Sequence, residues 1–500
     1  MIGGIMSPHR NQKAGYIHLL LMLMISMITQ VFTLLKSSIA ASTFGTTEVM
    51  DAFNLANSIN TFLFSFVSSG VATIVIPEYI RRTDRKIVDT FITAIYGIMF
   101  LVLLFILCFR NQLAGLLGAN RSQTFKTVTA HIMLILLSAQ FLTCVTNVTT
   151  AYFQTINRYS IPKLVALLSQ ILVVIALLFA KGVTIIQYTW ILAIGIVVSF
   201  LLDTAVAIKC GWRYVPCLRL NSDSKQLFSN FLPIVFSTGI YQLSLMTGSM
   251  VSSFLETGLI SVLSYSSQIA SMVNTVLIGN LLIYIYPKII LTVHQKGSQK
   301  EFWKRTYVLH TIVCLVVAGF IVVGQEATDL LFRRGQFTQE ASQMVYLGAA
   351  LYIFGQQFSV LRDVIYRYFY ASGDTRTPAV NSVIVSVSNL VLTLVLVTII
   401  GFYGIILGTL LSSLISLTVI FIRFKRKYGM DVSPFKIFFH YGLNLAVMAA
   451  TACGGMLIKD LFPFSNVLVE ILVYGCSTVV IYLILSLIFN RKTVLYFKKL

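Results

Sequence analysis

The sequence predicts an all-α polytopic membrane protein whose 14 transmembrane helices form two parallel six-helix lobes plus two extra C-terminal helices. Hydrophobic residues make up 57% of the 500 residues and charged residues only 11%, whereas a soluble domain carries about 45–50% apolar and about 25% charged residues. So few charges cannot cover the surface of a soluble protein of this length. The composition therefore excludes a soluble enzyme, a disordered chain, a coiled coil and a secreted disulfide scaffold.

The apolar residues are gathered into long continuous runs, each near the roughly 20 residues that a helix needs to cross a bilayer. Strands of a membrane β-barrel are shorter, about 10 residues, and alternate in hydrophobicity, so a barrel is excluded. The 14 predicted spans lie near 15–44, 50–76, 90–109, 127–152, 161–180, 186–208, 228–254, 258–287, 306–324, 343–370, 379–400, 403–422, 437–458 and 467–489.

The net charge of +20 comes from 37 Lys and Arg residues against 17 Asp and Glu residues. If the N-terminus lies in the cytoplasm, most of the basic residues fall in loops on the cytoplasmic side, as is usual for membrane proteins. This charge needs no nucleic-acid partner to explain it. We therefore predict a multi-pass protein of the cytoplasmic membrane with both termini in the cytoplasm, whose first apolar run is a retained helix and not a cleaved signal peptide.

An internal repeat relates the two halves of the chain. A shift of 210 residues places three landmarks on equivalent residues: Phe44 on Phe254, Ile59 on Ile269 and Pro77 on Pro287. Pro77 and Pro287 are each predicted to close the second helix of their unit. A shift of 216 residues likewise places Tyr152-Phe153 and Pro162 on Tyr368-Phe369 and Pro378.

The repeat defines the predicted domains. Residues 1–220 form an N-terminal lobe of six spans, residues 221–430 a second lobe of six spans, and residues 431–500 the last two spans with a cytoplasmic tail. An even number of spans per repeat gives both lobes the same orientation, and two such lobes form the cleft of an alternating-access transporter. The competing classes are a channel, which would need a filter or a ring of charges, and a membrane scaffold.

Motifs for catalysis and metal binding are missing from the sequence. It contains no GxxxxGKS/T phosphate-binding loop and no HExxH, and its seven cysteines form no CxxC pair. We therefore predict a protein that is not an enzyme, with no metal site and no cofactor. Energy would come from the membrane potential, a monovalent cation gradient or the gradient of the substrate.

Charged residues inside spans are the strongest functional candidates because they are expensive there. Lys36 in span 1 and Asp51 at the start of span 2 could form an ion pair; alternatively, Lys36 reaches the outer interface and Asp51 caps its helix. Arg362 in span 10 is a candidate for binding an anionic group. Its neighbour Asp363 points in a different direction and is placed to pair with Arg367.

Polar residues recur on two repeat-related spans. Span 2 carries Asn54, Asn57 and Asn60, and their spacing of three predicts a single polar face. The equivalent part of span 8 is also polar and includes Gln268 and Asn274. Such a face either lines a watery cavity, which we predict, or forms hydrogen bonds between helices. For the isolated Asp203 and His131 we expect local hydrogen bonds.

Three stretches of sequence resemble a known family. Residues 40–45 (AASTFG), followed by Asp51-Ala52-Phe53, Gly70 and Pro77, resemble the start of MurJ/MviN-type lipid II flippases. Residues 334–338 (RGQFT) and 369–378 (FYASGDTRTP) are similar to two further signatures of that family. The resemblance covers nearly the whole chain and implies the fold of the multidrug/oligosaccharidyl-lipid/polysaccharide exporter superfamily.

The resemblance implies a substrate and a location. The family moves an undecaprenyl-pyrophosphate-linked saccharide across the bacterial inner membrane, with the pyrophosphate head in a cationic cleft and the lipid tail along the last two spans. Lys36 and Arg362 would then contact the phosphates, and six polar residues would line the path: Asp51, Asn54, Asn57, Asn60, Gln268 and Asn274. The implied partners are the polyprenyl-linked saccharide, the lipid bilayer and cell-wall synthesis enzymes.

Departures from the family pattern leave two alternatives. Lys36-Ser37, Phe64-Ser65, Gln268 and Ser271 stand where the family carries charged residues of its cleft, so a flippase for another lipid-linked polysaccharide repeat unit is the first alternative. An ion-coupled drug antiporter is the second, and it would need acidic residues deep in the cleft. In the FYASGDTRTP motif we predict structural roles for Gly373, Asp374, Arg376 and Pro378: Gly373 makes the turn and Pro378 starts the next helix.

Overall fold

A computed structural model describes residues 8–81, 85–156, 158–180, 182–218, 222–279, 289, 299–491 and 493. All regular structure in these residues is helical, which confirms the predicted all-α membrane fold class; the count of 14 spans stays a prediction. The helices are α1 (Pro8–Phe44), α2 (Glu48–Arg81), α3 (Arg85–Cys108), α4 (Arg110–Leu117), α5 (Gln123–Gln140), α6 (Thr143–Thr155), α7 (Ser160–Phe179), α8 (Ile185–Lys209), α9 (Ser222–Ser253), α10 (Leu259–Val273), a π-helical segment (Asn274–Gly279), α11 (Gln299–Phe332), α12 (Gln339–Ala371), α13 (Arg376–Ile400), α14 (Tyr403–Tyr428), α15 (Pro434–Leu461) and α16 (Val467–Phe489).

Each predicted span coincides with one or two of these helices. Within the described residues, eleven helical stretches are long and apolar enough to cross a membrane. The fourth predicted span is interrupted, because α5 ends at Gln140 and α6 begins at Thr143. The eighth runs through α10 and the π-helical segment, and its remainder lies outside the described residues.

The helix boundary predicted at Pro77 is wrong. α2 continues to Arg81, four residues beyond the proline. A proline removes only one backbone donor from a helix, and spanning helices tolerate that loss where neighbouring groups satisfy the freed carbonyl. Pro287, the repeat-related proline, lies outside the described residues.

The internal repeat is visible in the hydrogen bonds that begin two helices. The Ser122 hydroxyl accepts a hydrogen bond from the Phe125 amide at 3.0 Å and so caps α5. The Thr338 hydroxyl accepts from the Ala341 amide at 3.2 Å and caps α12 in the same way. Both partners are shifted by 216 residues, so the duplication preserves the cap as well as the sequence landmarks.

A second equivalence lies in the turns that precede α7 and α13. The Arg158 amide donates to the Phe153 carbonyl at 2.9 Å, and the Asp374 amide donates to the Phe369 carbonyl at 2.9 Å. Both phenylalanines are fully buried. The two halves therefore use the same wide turn at the same place in the repeat.

The chain divides into two compact units, Met1–Ile260 and Ser261–Leu500. In the first unit α2 packs on α5, α6 and α9; in the second unit α11 packs on α12, α15 and α16. The boundary between these units lies at the start of α10. The predicted division into 1–220, 221–430 and 431–500 rests on the repeat and stays a prediction.

The two helices outside the repeat are tied to α11, α15 at two levels and α16 at one. Lys459 of α15 forms an ion pair with Glu326 of α11. Toward the other end, the Asn444 amide donates to the Thr311 hydroxyl at 3.2 Å, and the Tyr482 hydroxyl of α16 donates to the Thr311 carbonyl at 2.7 Å. Polar contacts therefore fix α15 and α16 onto the second unit along the length of α11.

Candidate functional site

A buried cluster of polar groups joins the beginning of α2 to the end of α9. The Asp51 side chain is fully buried, and its Oδ2 atom accepts a hydrogen bond from the Gly258 amide at 2.7 Å. The same oxygen lies 3.6 Å from Nη2 of Arg121, whose side chain is only 4% exposed. We call Asp51, Arg121 and Gly258 the clasp.

Arg121 also completes the C-terminus of α9, whose last carbonyl groups have no partner within the helix. Its Nε donates to the Ser253 carbonyl at 2.9 Å, and its Nη2 donates to the carbonyls of Ser252 at 3.3 Å and Glu256 at 2.9 Å. Its Nη1 donates to the Thr257 hydroxyl at 2.7 Å. A cation is favourable at this end of a helix dipole, so Arg121 stabilises both α9 and the Asp51 carboxylate.

Glycine is required at residue 258 by the backbone. Its φ is +95°, a conformation that L side chains rarely adopt, and a Cβ atom there would lie 2.8 Å from the Thr46 carbonyl oxygen. The turn after α9 therefore approaches the turn after α1 backbone to backbone. This close approach brings the Gly258 amide within reach of Asp51.

The predicted pair of Lys36 and Asp51 is not formed, because Asp51 pairs with Arg121 instead. The sequence gives no sign of this, since Arg121 lies seventy residues further along in a loop. Lys36 itself is partly buried in α1, eight residues and thus about 12 Å before the helix end at Phe44. Within the part of the chain that the structure describes, its ammonium group has no hydrogen-bond or ion-pair partner.

The three asparagines of α2 differ in burial. Asn54 and Asn60 are buried, whereas Asn57 is exposed. Each step of three residues rotates by about 60°, so the three lie within an arc of about 120°, and their burial differs because neighbouring elements cover each position differently. Oδ1 of Asn60 is buried without a hydrogen-bond partner among the described residues.

The remaining predicted substrate residues lie in the second unit. Gln268 is partly buried on α10, and Asn274 is the first residue of the π-helical segment. Arg362 is bound to its neighbour: its Nε and Nη2 both lie 2.9 Å from Oδ1 of Asp363. The expectation that these two side chains diverge is wrong, because a long arginine can fold back onto the adjacent residue.

The substrate-binding roles of all eight residues stay predictions. Lys36 and the four candidates of α2 belong to the first unit, and Gln268, Asn274 and Arg362 belong to the second. Of these eight residues, Asp51 and Arg362 each form an ion pair, whereas Lys36 forms none among the described residues.

The FYASGDTRTP motif locks the turn between α12 and α13. Gly373 has a φ of +80°, Pro378 is buried in the first turns of α13 and Arg376 is exposed. The Asp374 carboxylate accepts hydrogen bonds from the Thr377 amide at 2.9 Å and hydroxyl at 2.7 Å, and from Lys427 Nζ at 2.6 Å. The structural roles of Gly373, Asp374, Arg376 and Pro378 stay predictions.

The pKa of Asp374 is low, at about 2. Burial acts to raise this pKa, but the hydrogen bonds from Lys427 and Thr377 together lower it by more. The folded-state pKa therefore lies below the roughly 3.9 of an unfolded aspartate. Because folding lowers this pKa, the ionised carboxylate stabilises the fold above about pH 4, and this contribution is lost as the pH falls towards 2.

We expect Asp374→Ala to lower the stability of the folded protein by about 1 kcal/mol or more, because α13 loses its cap. Asp374→Asn should cost less, since an amide oxygen still accepts from Thr377. Detergent-solubilised protein would be followed by thermal unfolding at several pH values. A difference between wild type and Asp374→Ala that persists unchanged to pH 2 would contradict the assigned role of the carboxylate.

Two isolated polar residues have the local partners expected from the sequence. The Asp203 carboxylate accepts a hydrogen bond from the Thr149 hydroxyl. Nδ1 of His131 lies 3.0 Å from the Thr127 carbonyl one turn earlier.

Comparison with known proteins gives one family and one fold. The family model described as "Lipid II flippase MurJ" matches residues 40–474. The probable lipid II flippase MurJ of Rickettsia prowazekii (strain Madrid E) is 20% identical over 427 residues, which cover 82% of this chain and 83% of the relative. Its counterpart in Thermotoga maritima is 24% identical over 419 residues, covering 81% and 84%.

Solved structures show the same fold. A structure described as lipid II flippase MurJ in an inward closed conformation has a TM-score of 0.81 at 19% identity, and covers 95% of this chain and 100% of its own. An inward-facing multidrug resistance transporter of the MATE family has a TM-score of 0.64 at 13% identity, with coverage of 82% and 97%.

Proposed function

This chain belongs to the MurJ lipid II flippase family, and on that basis we propose that it moves lipid II across the bacterial cytoplasmic membrane by alternating access. The substrate is the lipid-linked saccharide from which the cell wall is built. The chain is a transporter that changes the leaflet of its substrate and leaves the covalent structure of that substrate intact.

Lys36 is the observation that carries this proposal. A lysine partly buried in a spanning helix is costly unless an anion neutralises it, and the described part of the chain offers Lys36 none. A pyrophosphate head group supplies that anion. The charge of Arg362 is already balanced by Asp363, and a substrate role for Arg362 stays a prediction.

The clasp suggests how the outer side of the transporter is closed. By the predicted topology, the ends of α1 and α9 and the beginnings of α2 and α5 lie at the outer surface. Asp51 and Arg121 belong to the lobe predicted at 1–220, and the α9 terminus with Gly258 belongs to the lobe predicted at 221–430. We propose that the clasp holds these elements together until the head group has entered from the inside, and opens when the lobes rock.

The proposal also covers the membrane topology, the energy source and the enzymes that use the product. We propose that both termini lie in the cytoplasm, that transport is coupled to the membrane potential or to a monovalent cation, and that cell-wall synthesis enzymes consume the product outside. A drug antiporter is less well supported, because the two acidic residues deep in spans are engaged locally: Asp203 with Thr149 and Asp363 with Arg362.

Complementation tests the proposal directly. The resident lipid II flippase of a bacterial host is depleted, this chain is expressed, and growth and outer-leaflet lipid II are measured. We expect rescue. Failure to rescue, with the protein shown to be folded in the membrane, would overturn lipid II as the substrate and direct the search to another lipid-linked glycan that is lost on deletion.

A further inference from the structure

The segment that joins α8 to α9 is fastened to α3 by one hydroxyl group. Its described residues, 210–218, have no regular secondary structure, so their backbone amides need partners outside a helix. The Cys217 amide donates a hydrogen bond to the Thr93 hydroxyl oxygen of α3 at 3.1 Å. The Tyr214 hydroxyl lies 2.8 Å from the same oxygen. We call Thr93, Tyr214 and Cys217 the inner latch.

The hydrogen-bonding capacity of Thr93 is fully used. A threonine hydroxyl has one hydrogen to donate and two lone pairs that accept. Thr93 donates its hydrogen to the Asp89 carbonyl one turn earlier at 2.7 Å, so Tyr214 must be the donor in its contact with Thr93. The two lone pairs therefore hold two residues of the segment, and a change of this one side chain removes both bonds.

The inner latch lies where α3 packs against the beginning of α9. The ring centroid of Phe91, two residues before Thr93, lies 5.1 Å from that of Phe228 and 5.4 Å from that of Phe231. Cys217 lies five residues before α9 begins. By the predicted topology this is the cytoplasmic end of both helices. The clasp therefore holds α9 at its outer end, and the latch and the phenylalanines hold it at its inner end.

The inner latch is weaker than the clasp. Its two hydrogen bonds join neutral groups, and the neighbouring side chains of Val215 and Leu218 are 64% and 73% exposed. Arg121 of the clasp makes four hydrogen bonds and an ion pair to a buried carboxylate, and hydrogen bonds from a charged group are roughly twice as strong as neutral ones. Segments with few buried contacts open first, so the inner end of α9 is released more readily than its outer end.

We propose that the inner latch controls the entry of the substrate from the cytoplasm. When the bonds to Thr93 break, the segment leaves α3, and the beginning of α9 is free to move away from Phe91 while the clasp stays closed. When the bonds form again, both ends of α9 are held. This inference rests on the proposed function for the identity of the substrate, but the opening of the latch can be measured without any substrate.

The first test measures the latch alone. In inside-out membrane vesicles, which present the cytoplasmic face, the native thiol of Cys217 is labelled with a membrane-impermeant maleimide and quantified by mass spectrometry. Thr93→Val keeps the shape of the side chain but removes the hydroxyl, so two hydrogen bonds are lost and labelling should be about tenfold faster. Tyr214→Phe removes one of these bonds and should accelerate labelling about threefold.

Two controls on α3 separate the latch from folding. Thr93→Ser keeps the hydroxyl and should label Cys217 at a rate close to that of wild type. Thr90 is buried on the same helix and donates to the Lys86 carbonyl at 2.8 Å, so Thr90→Val should leave the labelling unchanged. Unchanged labelling of Cys217 in folded Thr93→Val protein would overturn the latch.

The second test holds the latch shut. Thr93→Cys places a thiol beside Cys217, and a short bifunctional thiol reagent that contains a reducible disulfide links the two. Transport of lipid II should be lost on linking and should return on reduction, so the same protein is its own control. Transport that continues with the latch linked would overturn its role in entry.

Failure of the proposed function gives a different result. If the wild type moves no lipid II, the proposed function fails, and the role of the latch in lipid II entry fails with it. The labelling of Thr93→Val then decides separately whether the latch itself opens.

Discussion

Replacement of Lys36 by methionine is expected to abolish lipid transport and, at the same time, to raise the thermal stability of the protein. In the free protein the partly buried Lys36 has no partner for its ammonium group among the described residues, so removing its charge relieves a desolvation penalty. In the complex the same charge is met by the substrate phosphate. A charge-assisted hydrogen bond is worth about 1.5–3 kcal/mol, which corresponds to a loss of roughly 10- to 100-fold in substrate affinity.

Two quantities are measured: the amount of lipid II in the outer leaflet and the melting temperature of the purified variant. Lys36→Arg is the matched control, because it keeps the charge on a side chain of similar reach. Wild-type transport by Lys36→Met would remove Lys36 from the binding site. A fall in melting temperature would mean that the lysine already has a stabilising partner in the free protein.

Replacement of Arg121 by alanine should destabilise the protein by about 3–5 kcal/mol, since it leaves the fully buried Asp51 carboxylate without its cation. It also leaves the last carbonyls of α9 without donors. The expected defect is therefore one of folding and outer closure. It would be measured as a lower melting temperature and as faster labelling of a cysteine introduced at Ser252, which is fully buried, by a membrane-impermeant thiol reagent.

A second substitution distinguishes the ion pair from the helix cap. Asp51→Asn in the Arg121→Ala background removes the uncompensated charge and should recover part of the lost stability, with a coupling of about 1–3 kcal/mol. Arg333 is the control: it is exposed, follows the end of α11 and pairs with Asp329 in the last turn of that helix, so Arg333→Ala should change the stability by less than about 0.5 kcal/mol. Simple additivity of the Asp51 and Arg121 effects would contradict the clasp.

The sequence predicts the local features of this protein, but it does not predict contacts between residues that are far apart in the chain. Continuous apolar runs predict the spans, and short motifs show the family resemblance. The turn at Asp374 can be predicted because its residues lie within four positions of one another. The break between α5 and α6 falls at Phe141-Leu142, inside an apolar run without proline or glycine to announce it. Packing against neighbouring helices, which no local pattern encodes, decides such a break.

The same distinction between local features and long-range contacts applies to the candidate site. The depth of Lys36 and the polarity of α2 and α10 can be predicted, because they depend on position within a span. The partner of Asp51 cannot, because Arg121 reaches it through a loop. The exposure of Asn57 between two buried asparagines cannot either, because it depends on which neighbouring elements cover each position of α2.

The attachment of α15 and α16 to α11 has a consequence for biosynthesis. Glu326 is made with α11, but its partner Lys459 is made much later. Throughout that interval the nascent chain carries this carboxylate without its cation. A chain that terminates before α15 would expose the group permanently, and we expect membrane proteases to remove it.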